Sequence, residues 1–340
     1  MRELRFVCAQ PATLFYAWQV EVMINNFVEM GINPNHIDVV CWKQNNVIPD
    51  QWSKLANTYP ARFFFYDETR ATRHYISSIR PNLLKQHWTA HPYLKDSAIF
   101  YHDSDIIFSM PVSRWITQEM INDEEWYGSN TNSYISHSYI KSKGDDVIAQ
   151  MCEITGLSES LIKINDNNSI GAQYLMKNVT YEYWNRVEID CELLFKDITE
   201  LNNRKVVADR IQWDAENIEW MKNNTDAVAK GEKYSRPLYH ELQIWCADMW
   251  AVLWGAWRLG FKTNCHQNFD FSWATSSQEE FYKLAIMHNA GATTSADGLF
   301  YKGEHMNDLP YNKDLKIKEG TASKCYWDWI QKVGKKSCLI

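Results

Sequence analysis

Ala98-Ile-Phe-Tyr-His-Asp-Ser-Asp-Ile-Ile-Phe108 decides how this chain is read. Ala98 to Tyr101 has the composition of a buried β-strand, and Ile106 to Phe108 reads as its continuation. Between them stands His102-Asp103-Ser104-Asp105. In an extended segment side chains two apart point the same way, so Asp103 and Asp105 would aim two carboxylates at one point while Ser104 faces the other side. Two hard oxygen donors converging at the end of a buried strand suit a divalent cation such as Mg²⁺ or Mn²⁺. Roughly one D-x-D is expected by chance in a chain of this length, so the tripeptide alone says little. Its setting says more, because two acids inside an apolar run are costly to bury without a partner.

Working towards the N-terminus, strand and helix patterns alternate. Arg5–Gln10, Ile37–Trp42 and Ala61–Tyr66 read as strands, and Trp18–Met30, Asp50–Tyr59 and Ile76–His91 read as helices. This order predicts an α/β fold with a mainly parallel central sheet flanked by helices on both faces. In such sheets ligands bind beyond the carboxyl ends of the strands, where Gln10, Pro11, Ala12, Asp67 and the Asp103-Ser-Asp105 triplet fall. Neither G-x-G-x-x-G nor G-x-x-x-x-G-K-[ST] occurs, which argues against a dinucleotide or P-loop site.

Towards the C-terminus, Asp145–Thr155 and Tyr181–Asn202 read as helices, and the polar stretch Asn217–Arg236 reads as a mobile loop. Pro237 is expected to open a long apolar helix through Leu259, with Trp250, Trp254 and Trp257 on one stripe and Glu241, Trp245 and Asp248 on another. A short strand, Leu284–Met287, runs into His288-Asn-Ala-Gly291. With no repeat and no low-complexity linker, a single domain over residues 1–300 is expected, with a nucleotide half (1–110) and an acceptor half (111–300). The tail 301–340 is expected to pack back on it.

The 340 residues carry a net charge of −7, which gives no overall pull towards nucleic acid or anionic membrane. Eight scattered cysteines without a C-x-x-C pair argue against a zinc cluster or a disulfide scaffold, and the opening Met1–Cys8 leads straight into a strand without a signal-peptide pattern. A cytoplasmic location is the expectation. Leu242–Phe261 is apolar enough to be considered as a membrane span, but Asp248 and Arg258 would each cost about 2.5–3.5 kcal/mol near a bilayer centre.

Asp103-Ser-Asp105, His288-Asn-Ala-Gly291, Ile79-Arg-Pro-Asn-Leu-Leu-Lys85, Gly171-Ala-Gln-Tyr174 and Asp270-Phe-Ser-Trp-Ala274 resemble the GT-A glycosyltransferases, a D-x-D family. The likeness is to uncharacterised bacterial and phage members and, more distantly, to peptidyl-serine galactosyltransferases and hydroxyproline arabinosyltransferases. It spans roughly residues 3–300. It implies transfer of a sugar from a nucleotide-sugar, UDP-linked by expectation, to a hydroxyl on a glycan, a protein or a hydroxymethylated base of phage DNA. It further implies Mn²⁺ or Mg²⁺ held by Asp103, Asp105 and His288. On the donor, Arg80 and Lys85 would meet the phosphates or sugar, Ser104 the ribose, and Gln10, Pro11, Ala12, Asp67 and Asp103 the nucleotide. Glu241 is the leading acid or base, Asp248 the reserve and Asp209 a distant third, with Gln173 and Trp245 on the acceptor side. Two other classes stay open. A nucleotidyltransferase or phosphotransferase can also use paired aspartates, and a non-catalytic sugar-binding protein would suit the aromatic content but not the paired acids.

Overall fold

A computed structural model describes residues 1–340. Its centre is a seven-stranded sheet in the order β3-β2-β1-β4-β7-β6-β8, formed by β1 (Leu4–Pro11), β2 (Ile37–Trp42), β3 (Arg62–Tyr66), β4 (Ala98–Tyr101), β6 (Trp126–Asn130), β7 (Ile170–Lys177) and β8 (Thr263–Cys265). β3, β2, β1 and β4 run parallel, β7 is antiparallel to both its neighbours, and β8 is parallel to β6. The expected α/β class with a mainly parallel sheet and helices on both faces is what forms. β1, β2 and β4 are buried along nearly their whole length because helices cover both sides, with Arg5, Gln10 and Asp38 the polar side chains among their buried residues. One apolar cluster holds the Leu14–Glu29 helix, and the other holds the Ile79–Ala90 and Ala247–Arg258 helices.

A second, three-stranded sheet has the order β5-β10-β9, from β5 (Ile106–Phe108), β9 (Phe271–Trp273) and β10 (Ile286–His288). Ile106–Phe108 therefore does not continue β4. A turn at Ser104 and Asp105 redirects the chain into this sheet, where β5 pairs antiparallel with β10.

Two further expectations are corrected. The helix that starts at Tyr181 runs to Asn223, through part of the stretch read as a loop. Its outer half is largely exposed, Val207, Ile211 and Ile218 included, and Arg236 anchors the returning chain through bonds to Asp209 (2.8 Å) and Glu216 (2.5 Å). Pro237 does not open a helix. Residues 237–243 are irregular, with the Leu242 backbone bonded at both N–H and C=O by the Asn202 amide, and the helix begins at Ala247 after a short turn at Ile244–Cys246. In the tail, the Ala322–Gly334 helix buries Tyr326, Trp327, Ile330 and Val333 in the same core as β1 and the Leu14–Glu29 helix. No helix is long and apolar enough to cross a membrane. All eight cysteines are free.

Candidate metal and donor site

β4 ends at Tyr101, on the carboxyl edge of the parallel strands, and the next four residues turn out of the sheet. That turn brings the Asp103 and Asp105 carboxylates together, where plain alternation along a strand was expected to. The antiparallel β5–β10 ladder supplies the third group, since His288 pairs with Ile106 and the Asn289 N–H donates to the Asp105 carbonyl at 2.9 Å. His288 Nε2 lies 3.3 Å from Asp105 Oδ1 and 3.6 Å from Asp103 Oδ2. One ligand atom from each of the three side chains falls within 4.8 Å of the others. Two carboxylates and an imidazole form a donor set that fits Mn²⁺ better than Mg²⁺, because imidazole ligates transition ions more readily.

Cations already face these acids. Arg80 bridges Asp103 and Asp248 with its two terminal nitrogens, and Lys302 bonds Asp105. Burial alone would raise the Asp105 carboxyl, but the Lys302 ammonium and the His288 ring hold it well below the usual carboxylate range. Burial would weaken the charge on Arg80, yet Asp248 and Asp103 hold it more firmly cationic than usual. The site is thus a desolvated lattice of opposite charges.

Behind His288 runs a buried chain of polar groups. Its Nδ1 meets the Gln173 amide at 3.3 Å, and Ser129 Oγ lies 2.7 Å from both the other end of that amide and the Phe269 carbonyl. Ser129 donates to Gln173 Oε1, and the Gln173 NH₂ meets Nδ1. The amide thus holds the imidazole from behind while Nε2 faces the two carboxylates.

Two cavities meet at this lattice, and Arg80 and Asp103 line both. The smaller, about 480 Å³, is bounded by Gln10, Pro11, Tyr16, Ser104, Asp105 and Lys302 among others. The larger, about 800 Å³, contains Asp248, Trp245 and His288 in its wall. So Gln10, Pro11, Arg80, Asp103, Ser104, Asp105, His288, Asp248 and Trp245 come together here. Ala12 lies under the rim of neither cavity.

Other residues singled out from the sequence sit elsewhere. Asp67 is exposed and paired with Lys43 at 3.4 Å. Lys85 is tied to Glu188 at 2.7 Å on the helical side. Glu241 is exposed in the irregular segment and lines neither cavity, and Asp209 is held by Arg236. Gln173 is fully buried behind His288 and lines neither cavity. Lys302 was missed, since a lone lysine in a patternless tail carries no signal in the sequence. Tyr75 was also missed. Its hydroxyl donates to Asp248 at 2.8 Å.

No family model matches the chain, and no curated protein matches it. Among solved structures it is similar to the bifunctional glycosyltransferase WbbM (10% identity, TM-score 0.47), with 99% of this chain and 52% of that one covered. The chain therefore spans about half the length of WbbM. It is also similar to the galactosyltransferase LgtC solved with donor and acceptor sugar analogues, at 12% identity and TM-score 0.41, with 96% and 95% covered. A third likeness is to glucosyl-3-phosphoglycerate synthase from Mycobacterium tuberculosis in complex with Mn²⁺, UDP and glucosyl-3-phosphoglycerate, at 13% identity and TM-score 0.32, with 56% and 64% covered. These are likenesses of overall fold at most.

Proposed function

We propose that the chain is a metal-dependent glycosyltransferase that moves a sugar from a nucleotide-sugar, UDP-linked in the first instance, to a hydroxyl acceptor. One observation carries this reading: Asp103, Asp105 and His288 converge at the carboxyl edge of the parallel sheet, where two cavities meet. A nucleoside diphosphate fits the smaller cavity and the acceptor the larger, so the sugar–phosphate bond would lie across the shared groups. A divalent ion held by the three side chains would act there as a Lewis acid on the leaving diphosphate. Lys302 and Arg80 are near enough to transfer their bonds from carboxylates to phosphate oxygens. Pro11, Tyr16 and Ser104 would border the nucleoside.

At the reacting end of the larger cavity Asp248 takes the place expected of Glu241. Its two oxygens are oriented by Tyr75 and Arg80, which suits a carboxylate that receives a hydroxyl proton or fixes a donor-sugar hydroxyl. A glycan, a protein hydroxyl and a hydroxymethylated base all remain within the reaction class. The chain's acidity favours an acceptor without a phosphate backbone.

The test is a screen of UDP-, GDP- and dTDP-sugars with Mn²⁺, reading the nucleoside diphosphate released. Slow release of UDP from one donor, dependent on Mn²⁺, supports the reading. Pyrophosphate in its place would point to nucleotidyl transfer, and binding without any release would point to a sugar-binding protein.

A further inference from the structure

The wall of the larger cavity bears on the acceptor's chemistry. Its only charged side chains are Arg80, Asp103, Asp248 and His288. These four form one connected group, because Arg80 bonds both aspartates and His288 stands 3.6 Å from Asp103. The charge is therefore gathered at the end shared with the smaller cavity. Tyrosines aside, the remaining wall offers only Ser77, Ser133 and Gln243 as neutral polar side chains. Fourteen of the 23 lining residues are hydrophobic, four of them tyrosines, and seven of the fourteen come from the long helix, the Ala247–Arg258 helix and β7.

A polyhydroxylated acceptor would have to strip water from many hydroxyls and find few partners in return. The volume, about 800 Å³, is that of a pocket for a drug-sized ligand, not a shallow saccharide groove. Its aromatic rings lie in near-parallel pairs: Tyr101 with Tyr174 at 6.1 Å and 19°, Tyr134 with Trp245 at 6.0 Å and 27°, and Trp273 with His288 at 6.4 Å and 10°. Such faces favour offset stacking with a flat body. Trp245 is 57% exposed at the rim, where an entering ring would meet it first.

We infer that the acceptor carries its hydroxyl on an aromatic or similarly flat apolar body and is not an oligosaccharide. This rests on the glycosyltransferase reading for the hydroxyl's fate, and on the cavity alone for its binding. The charged end takes the donor sugar, and the apolar remainder seats the acceptor's ring with the hydroxyl directed towards Asp248.

The experiment uses the full chain with UDP and Mn²⁺ and follows the fluorescence anisotropy of 4-methylumbelliferone. Saturable binding is expected, displaced by benzyl alcohol and unaffected by lactose at ten times that concentration. Trp245→Ala should weaken binding about tenfold, the order of loss that one stacked aromatic contact carries. Stabilisation of that variant by UDP with Mn²⁺ reports that it is folded. Displacement by lactose or 1-octanol more readily than by benzyl alcohol, or no binding of the fluorophore, overturns the inference. UDP binding is measured in the same samples. A chain that binds UDP with Mn²⁺ but prefers lactose loses only this inference, whereas one that binds the fluorophore but no nucleotide loses the glycosyltransferase reading.

Discussion

His288 and Ile106 face one another across a ladder of two three-residue strands, and that pairing sets the imidazole Nε2 3.3 Å from the Asp105 carboxylate. Two segments more than 180 residues apart in sequence are thereby joined where the two cavities meet. A ladder fixes register, since a one-residue slip would turn His288 to the opposite face.

The buried chain from Ser129 through Gln173 holds the His288 ring from behind at Nδ1, with Nε2 towards Asp103 and Asp105. Gln173→Leu should leave the fold intact and lower Mn²⁺ affinity by about 10–100-fold, the usual cost of losing a partner behind a metal-bound histidine. Calorimetric titration of Mn²⁺ with UDP present measures it. Unchanged affinity would mean that the amide only fills space.

Lys302 competes with a metal ion for Asp105 and could serve the diphosphate once displaced. Lys302→Gln should therefore tighten binding of Mn²⁺ alone while weakening UDP in the presence of Mn²⁺. The coupling between the two ligands should fall from the 5–150-fold range typical of linked sites towards unity. A variant that binds Mn²⁺ alone more weakly would show that Lys302 has no such exchange role.

Asp248→Asn should lower kcat by about 10²–10⁴-fold with UDP affinity little changed, and Glu241→Gln should behave as wild type. Steady-state kinetics on the donor found in the screen distinguishes the two. A large loss at Glu241 would restore the carboxylate first expected from the sequence.

Much of this was legible in local patterns, and some of it could not be. Apolar runs such as Val39–Trp42 and Ala98–Tyr101 identify inner strands because burial on both faces removes the need for polar alternation. His288 stood out because it follows a short apolar strand. The manner of convergence was hidden: a turn at Ser104–Asp105 and a ladder between distant strands are tertiary choices that no short window records. Lys302 reaches Asp105 across 197 residues, so its role depends wholly on how the tail folds back. Glu241 was favoured over Asp248 because Pro237 reads as a helix start, whereas the Leu242 backbone is satisfied by the Asn202 side chain and the helix starts later.

Away from the site, buried Asp38 accepts bonds from Arg62 (2.7 and 2.6 Å) and Arg5 (2.9 and 3.3 Å) and lies 3.5 Å from His87. Burial holds the His87 pKa below its ordinary value, although the nearby Asp38 opposes this and Arg62 and Arg5 reinforce it. Burial would raise the Asp38 carboxyl, but nearby His87 and the bonds from Arg62 and Arg5 hold it well below the usual range. Both folded pKa values are depressed, so in each case the unfolded chain binds the proton first as pH falls. Stability from His87 should be complete above about pH 6.5 and decline below it, and that from Asp38 should decline below about pH 3.9. Urea midpoints across pH 3–8 should show the upper decline, and His87→Gln should reduce it, His91, His102 and His305 being depressed by burial as well. A midpoint that rises on acidification through pH 6 would contradict the sign.

The central claim is that Asp103, Asp105 and His288 hold a divalent ion beside a nucleoside diphosphate. Calorimetric titration of Mn²⁺ into the UDP-saturated chain, wild type against Asp105→Asn, tests it directly. The account predicts one saturable Mn²⁺ site in the wild type and its loss in the variant, with the melting temperature without ligand preserved. An equal Mn²⁺ isotherm in a folded Asp105→Asn chain, or no Mn²⁺ binding by the wild type, would contradict it.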